Sequence, residues 1–213
     1  MQTTHTRAFP MTIDRQPAAG RTAEAGHGAG ETERLPYTAT ELARAYDRLG
    51  ALPACVLLDN VRSLYNVGAF FRTADGVRLE CLWLGGITPR PPRREITKTA
   101  LGAEHCVRWE PCPDAVAQVE ALRARGYEIA GVETSLRAVD VFDWRPRFPV
   151  CVLFGHEVDG IRPDLIDRCD TLVRIPMLGR KESLNVATAG GVVLFELLRK
   201  YRSMKEMTYG FRL

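Results

Sequence analysis

Apolar positions in this chain fall into short, near-continuous runs separated by stretches with helical spacing. The runs are ACVLLD (54–59), CLWLGG (81–86), YEIAGVET (127–134), VCVLFG (150–155) and TLVRIPM (171–177), with CVRWEP (106–111) as a shorter one. Runs apolar at successive positions, and not at alternate ones, are strands covered on both faces. Between them the period lengthens. Asn66 to Ala74 reads as a helix, and Asp114 caps another whose Val116, Val119 and Leu122 share a face, closed by Gly126. A short helix is expected around 163–168, and a last one from about Ser183, read as its N-cap, to Tyr201. The long stretch after residue 86 reads as a loop. Strands alternating with helices predict an α/β fold, a parallel sheet with helices on both faces. Ligands of such sheets bind beyond the carboxyl ends of the strands.

The first 36 residues are rich in Gly, Ala, Thr, Pro and charge and poor in large apolar groups, so a disordered tail is expected there. Its Gly26, Gly28 and Gly30 imitate a nucleotide loop, but no strand precedes them and no helical pattern follows. Thr38 and Glu41 have capping-box spacing, and Leu42, Ala45, Tyr46 and Leu49 mark one face of a short helix within 37–51. The main domain is then expected over 52–202, with a tail at 203–213.

A net charge of +3 is too small to mark a nucleic-acid protein by itself. None of the six cysteines has C-x-x-C spacing, which argues against a zinc ribbon, and no metal is called for. Cys55, Cys81 and Cys151 sit inside apolar runs as core thiols of a reducing cytosol. No apolar run is long enough for a membrane span, so a cytoplasmic protein is expected. A dinucleotide-binding G-x-G-x-x-G turn after a strand is missing, as is a P-loop.

Three segments that follow strands hold residues a plain core does not require. After 54–59 come Asn66, Gly68 and Arg72, with Arg72 one helical turn beyond Gly68 and free helix N–H groups near Asn66. After 150–155 come Gly155, Glu157 and Gly160, where Gly155 allows close backbone approach; His156 beside them is read as structural. After 171–177 come Ser183, Leu184, Asn185 and Val186, then the small residues Ala187 to Gly191. Adjacent helical glycines cost roughly 1 kcal/mol each, so a backbone, a ligand or the sheet must approach closely there.

In order and spacing these segments resemble the SpoU family of RNA methyltransferases, within the SPOUT superfamily. Asn66, Gly68 and Arg72 match its N-x-G-x-x-x-R pattern, and Gly155, Glu157 and Gly160 its G-x-E-x-x-G element. Ile175, Pro176 and Met177 followed by Ser183 to Val186 match I-P-M and S-L-N-V, and KTALGAE (98–104) is similar to the family's mid-domain linker.

The resemblance implies a C-terminal trefoil knot that holds S-adenosyl-L-methionine in a bent shape, and a homodimer that completes each active site. It implies transfer of a methyl group to a ribose 2′-hydroxyl of RNA. By position, the cofactor contacts fall on Gly155, Gly160, Ile175, Met177 and Leu184, and the catalytic candidates are Asn66, Arg72, Glu157, Ser183 and Asn185. A guanidinium stays protonated, so Arg72 is better suited to anchoring phosphate and polarising the hydroxyl than to acting as the base. Glu157 could orient Arg72 or take the proton through water. Methylation of a base nitrogen, and a non-catalytic RNA-binding role on the same scaffold, are the alternatives. Transfer RNA is favoured over ribosomal RNA because the catalytic domain stands nearly alone. RNA is then expected along the proline-stiffened segment 87–98, where Arg90, Arg93, Arg94 and Lys98 form a phosphate track.

Overall fold

The computed structural model describes residues 49–209. The tail and short helix expected before Leu49 lie outside the described residues. Strand β1 (Leu52–Asp59) is followed by helix α1 (Leu64–Val77), β2 (Leu79–Gly85), α2 (Arg94–Ala100), a 3-10 turn at Ala103–His105, and β3 (Trp109–Cys112). Helix α3 (Ala115–Ala124), β4 (Glu128–Val132), β5 (Val139–Asp140), β6 (Val150–Phe154), α4 (Pro163–Ile166), β7 (Thr171–Arg174) and α5 (Val186–Tyr209) complete the chain.

The strands form one sheet of order β3-β2-β1-β6-β4-β7-β5, and every pairing is parallel. Side-chain alternation in β1 explains its continuous apolar run. Ala54, Val56 and Leu58 join a core with Phe70 and Phe71 of α1 and Val193 and Leu194 of α5. Cys55 and Leu57 join a second core with Val119 and Leu122 of α3 and Leu165 of α4. Both faces are therefore covered, as the apolar runs require. Burial on the second face pushes the Cys81 thiol up to about 12.

Three local features depart from the sequence reading. The stretch after residue 86 is a loop only as far as its prolines, and Arg94–Ala100 then turns helical with Ile96 and Ala100 buried one turn apart. Strand β5 is only Val139–Asp140, paired to Val173 and Arg174 at the sheet edge, and carries no apolar run to betray it. The last helix begins at Val186, not Ser183, and continues to Tyr209 through the segment read as a tail.

The small residues of α5 now have a reason. A Cβ on Gly190 would lie 2.3 Å from the Phe70 ring, so close packing of α5 on α1 requires the glycine. Gly191 faces open space. Strand β6 enters between β1 and β4, which precede it in the chain. The order of strands thus reverses beside β1, and the carboxyl ends of the strands there are where a ligand site belongs.

Candidate active site

A cavity of about 610 Å³ opens at that place. Its walls come from the ends of β4 (Glu133, Thr134), β6 (Gly155 to Ile161) and β7 (Ile175, Met177), closed by Glu182 to Asn185 ahead of α5 and by Val186 at its start. Gly155, Gly160, Ile175, Met177 and Leu184, expected to meet a cofactor, all line it, and so do Glu157, Ser183 and Asn185. Asn66 adjoins this wall through two of its residues. Arg72 and the basic residues Arg90, Arg93, Arg94 and Lys98 are not part of the lining.

The loop 155–162 is shaped by its own backbone and by three tethers. His156 and Gly160 exchange two backbone hydrogen bonds of 3.0 Å each. A Cβ on Gly155 would fall 2.1 Å from the Gly160 carbonyl oxygen, so the close approach expected at Gly155 is made by this turn. Gly160 itself has φ +70°. His156 Nδ1 accepts from the Val158 and Asp159 amides at 3.3 and 3.1 Å, the structural role expected of it. The first tether is Glu133, whose Oε2 accepts from the Ile161 amide at 3.0 Å. The second pairs Arg162 Nε with the buried Asp59 Oδ2 at 3.1 Å.

Glu157 is the third tether. Its Oε2 accepts from the Arg62 amide and its Oε1 from the Ser63 amide, both at 3.0 Å, and Oε1 also accepts from Asn66 Nδ2 at 3.1 Å. These groups belong to the N-terminal end of α1, where backbone donors lack helical partners. Partial burial alone would raise the pKa of Glu157. Hydrogen bonds from Arg62, Ser63, its own amide and Asn66 outweigh that and hold it below the usual carboxylate range. The carboxylate is therefore ionised at neutral pH and is a weak base.

Asn66 has its other side-chain atom engaged as well: Asn185 Nδ2 donates to Asn66 Oδ1 at 3.1 Å. Asn185 Oδ1 meanwhile accepts from the Ala187 and Thr188 amides at 3.0 and 3.3 Å, so it is this residue that caps α5. Glu157, Asn66 and Asn185 form one chain of hydrogen bonds joining the three segments singled out from the sequence. Ser63 is the N-cap of α1, accepting from the Asn66 amide at 3.3 Å. Its S-x-x-N spacing was a signal the sequence reading passed over. Glu133 and Thr99 were missed too: Glu133 lies in no recognisable pattern, and Thr99, though inside KTALGAE, has partners remote in sequence.

Gly68 serves the packing of α1 on α2. A Cβ there would lie 2.0 Å from Thr99 Oγ1 and 2.4 Å from the Ile96 carbonyl oxygen. The linker KTALGAE is thus the surface against which the N-x-G-x-x-x-R helix is seated. Arg72 is exposed on α1. Arg94 and Lys98 share one face of α2, and Arg90 and Arg93 precede it; all four are exposed. Among the described residues no three His, Cys, Asp or Glu side chains are grouped as around a metal ion.

The model of the SpoU rRNA Methylase family matches residues 53–195, which span all three segments and the cavity. The chain belongs to this family. Among similar SpoU-family proteins, the 23S rRNA (guanosine-2′-O-)-methyltransferase of Pseudomonas syringae pv. tomato is 34% identical over 163 residues, 75% of this chain and 63% of that protein. The TrmH/SpoU tRNA modifying enzyme of A. aeolicus superposes with TM-score 0.66 at 26% identity, covering 78% of this chain and 86% of that one. An AdoMet-bound rRNA methyltransferase from Sinorhizobium meliloti gives TM-score 0.65 at 29% identity, covering 70% and 60% respectively. The chain spans somewhat less than two thirds of the length of the curated relatives it matches first.

Proposed function

We propose that this chain is an S-adenosyl-L-methionine-dependent RNA methyltransferase acting on a ribose 2′-hydroxyl. The observation that carries this reading is the Glu157–Asn66–Asn185 chain at the edge of a cavity of cofactor size in a SpoU-family fold. The cavity suits the cofactor chemically. Ile166, Ile175, Met177 and Leu184 offer apolar surface to a purine, while the Glu133 and Glu182 carboxylates suit its hydroxyls and positive charges. S-adenosyl-L-methionine, when bound, supplies a methyl group on a good leaving group. Gly155, Gly160, Ile175, Met177 and Leu184 would hold it, and in the proposed reading the segments 155–160 and 175–186 belong to a trefoil knot.

What the protein must add is alignment and removal of the hydroxyl proton. Asn66, Ser183 and Asn185 position the ribose at the cavity mouth. Glu157, already accepting three hydrogen bonds, acts by fixing Asn66 and not by taking the proton. Arg72 anchors a phosphate and polarises the hydroxyl as charge develops on its oxygen. Six residues of helix leave Arg72 roughly 120° around the axis from Asn66 and displace it ~9 Å along α1. That separation favours a homodimer in which Arg72 serves the partner's cavity, with sedimentation near twice the chain mass of 23.8 kDa. RNA runs along Arg90, Arg93, Arg94 and Lys98 in this reading.

The test is incubation of the full chain with labelled S-adenosyl-L-methionine and, separately, unmodified transfer and ribosomal RNA, followed by mapping of 2′-O-methyl positions. Label on a ribose bears the reading out and identifies the RNA. Label on a base nitrogen replaces it with the sister chemistry, and cofactor binding without transfer to either RNA leaves a binding protein.

A further inference from the structure

The exposed stripe of α1 carries a residue that neither the catalytic reading nor the family motifs use. Tyr65 is 51% exposed, a large aromatic ring at the first turn of the helix. Single exposed apolar residues are ordinary on protein surfaces, so its exposure alone decides nothing. Its setting does. The ring's backbone is pinned, because the Tyr65 carbonyl accepts from Thr99 Oγ1 at 3.1 Å. The next residue, Asn66, is held by Glu157 and Asn185. Among the described residues no aromatic ring or cation lies over the tyrosine ring.

Arg72 follows Tyr65 by seven residues, within about 20° on the same stripe and ~10 Å further along the axis. Between them, one turn from each, stands the small, half-buried Ala69. The stripe therefore offers a flat ring, a shallow floor and a guanidinium in line. Arg93, Arg94 and Lys98 are exposed on the adjoining α2 region, which seats against α1 at Gly68 and Thr99. A partner matching both a naked ring and this row of positive charge has flat π faces and repeated negative charges. Single-stranded RNA has both, whereas a duplex hides its base faces in the stack.

We infer that Tyr65 is a stacking platform for one base of a single-stranded RNA segment entering the site, with Arg72 taking a flanking phosphate. This rests on the proposed RNA reading and adds to it the form in which the RNA must arrive: an unstacked nucleotide from a loop, bulge or end.

The experiment uses the full chain, a fluorescein-labelled single-stranded oligoribonucleotide of mixed sequence and a duplex of equal length, with binding followed by anisotropy. Tyr65→Ala should weaken single-strand binding by about 5- to 100-fold, the range for removal of one base–aromatic stack. Tyr65→Phe should stay within about twofold of wild type, since the ring and not the hydroxyl makes the stack. Duplex binding should not change. Wild-type affinity of Tyr65→Ala for the single strand overturns the inference. So does an equal weakening in Tyr65→Phe, which would assign the interaction to the hydroxyl, or an altered sedimentation coefficient in Tyr65→Ala, which would place the ring in a subunit interface. Calorimetric titration with S-adenosyl-L-methionine separates the two readings. A wild-type chain that binds none removes the methyltransferase proposal and leaves the platform to the RNA titration; normal cofactor binding with no Tyr65 effect removes the platform alone.

Discussion

Asn185 donates from Nδ2 to Oδ1 of Asn66 at 3.1 Å, so the cap of the last helix and the first turn of α1 are held by one amide pair. Because Asn66 Nδ2 is donated to Glu157 at 3.1 Å, the amide has a single workable orientation, with oxygen toward Asn185.

Asn66→Asp would set a carboxylate against that of Glu157. The variant should lose about 1–2 kcal/mol at pH 7, at the low end for a charged hydrogen bond because the site is open to water. Like charge raises the pKa of both groups, so part of the loss should return as pH falls and one of them binds a proton. Thermal melts at neutral and mildly acidic pH check this; a deficit that grows on acidification would contradict it.

Glu157→Gln removes the charge while keeping the shape. The folded-state pKa of Glu157 lies below its ordinary value, so its contribution is present above the unfolded carboxylate pKa, about 4.3, and fades as pH falls through the lower folded value. The variant should be less stable by about 1 kcal/mol from pH 8 to 5, discounted for exposure, with the gap closing below that. Denaturant titrations across this range measure it.

Gly68→Ala brings a methyl group within 2.0 Å of Thr99 Oγ1 and 2.4 Å of the Ile96 carbonyl. Overpacking of this kind costs about 1–3 kcal/mol. Adding Thr99→Ala should recover only part of it, since the backbone carbonyl remains. Full recovery in the double variant would show that the backbone at Ile96 gives way freely.

Arg72→Ala should lower methyl transfer by on the order of 100-fold, as for removal of a charge-stabilising group, while calorimetric affinity for S-adenosyl-L-methionine is unchanged. Turnover near that of wild type would return Arg72 to an ordinary surface role.

Replacing Arg90, Arg93 and Arg94 together by alanine should weaken RNA binding and flatten its salt dependence. Each phosphate that the protein no longer neutralises lowers the log–log slope by about 0.7 to 0.9. An unchanged slope in anisotropy titrations over a range of salt would remove this segment from the RNA path.

The central strands were legible because a run such as VCVLFG must be apolar at every position when helices cover both faces, and few other structures impose that pattern. The segments around Asn66, Glu157 and Asn185 were legible through motif order. Atomic roles were not, because they depend on neighbours remote in sequence. Nothing near Gly68 announces Thr99, and nothing near Gly155 shows that the Gly160 backbone will fold onto it. Ser183 and Asn185 are both good capping residues, and the choice fell to the one that Asn66 also holds. Helix α2 was hidden by the prolines just ahead of it, Pro89, Pro91 and Pro92, and by having only Ile96 and Ala100 buried.

The insertion of β6 between β1 and β4 has a bearing on how the chain is made. Ala54 of β1 pairs with Val150 of β6, so the centre of the sheet must wait until that late strand has left the ribosome. Until then β1 has only β2 to pair with, and its other edge, apolar on both faces, stands open. Pairings so distant in sequence are slow to close. The segment from β1 to β3 is thus the part most in need of a chaperone, and the cavity can admit a ligand only after Glu182 to Ala189 have followed β6 out of the ribosome.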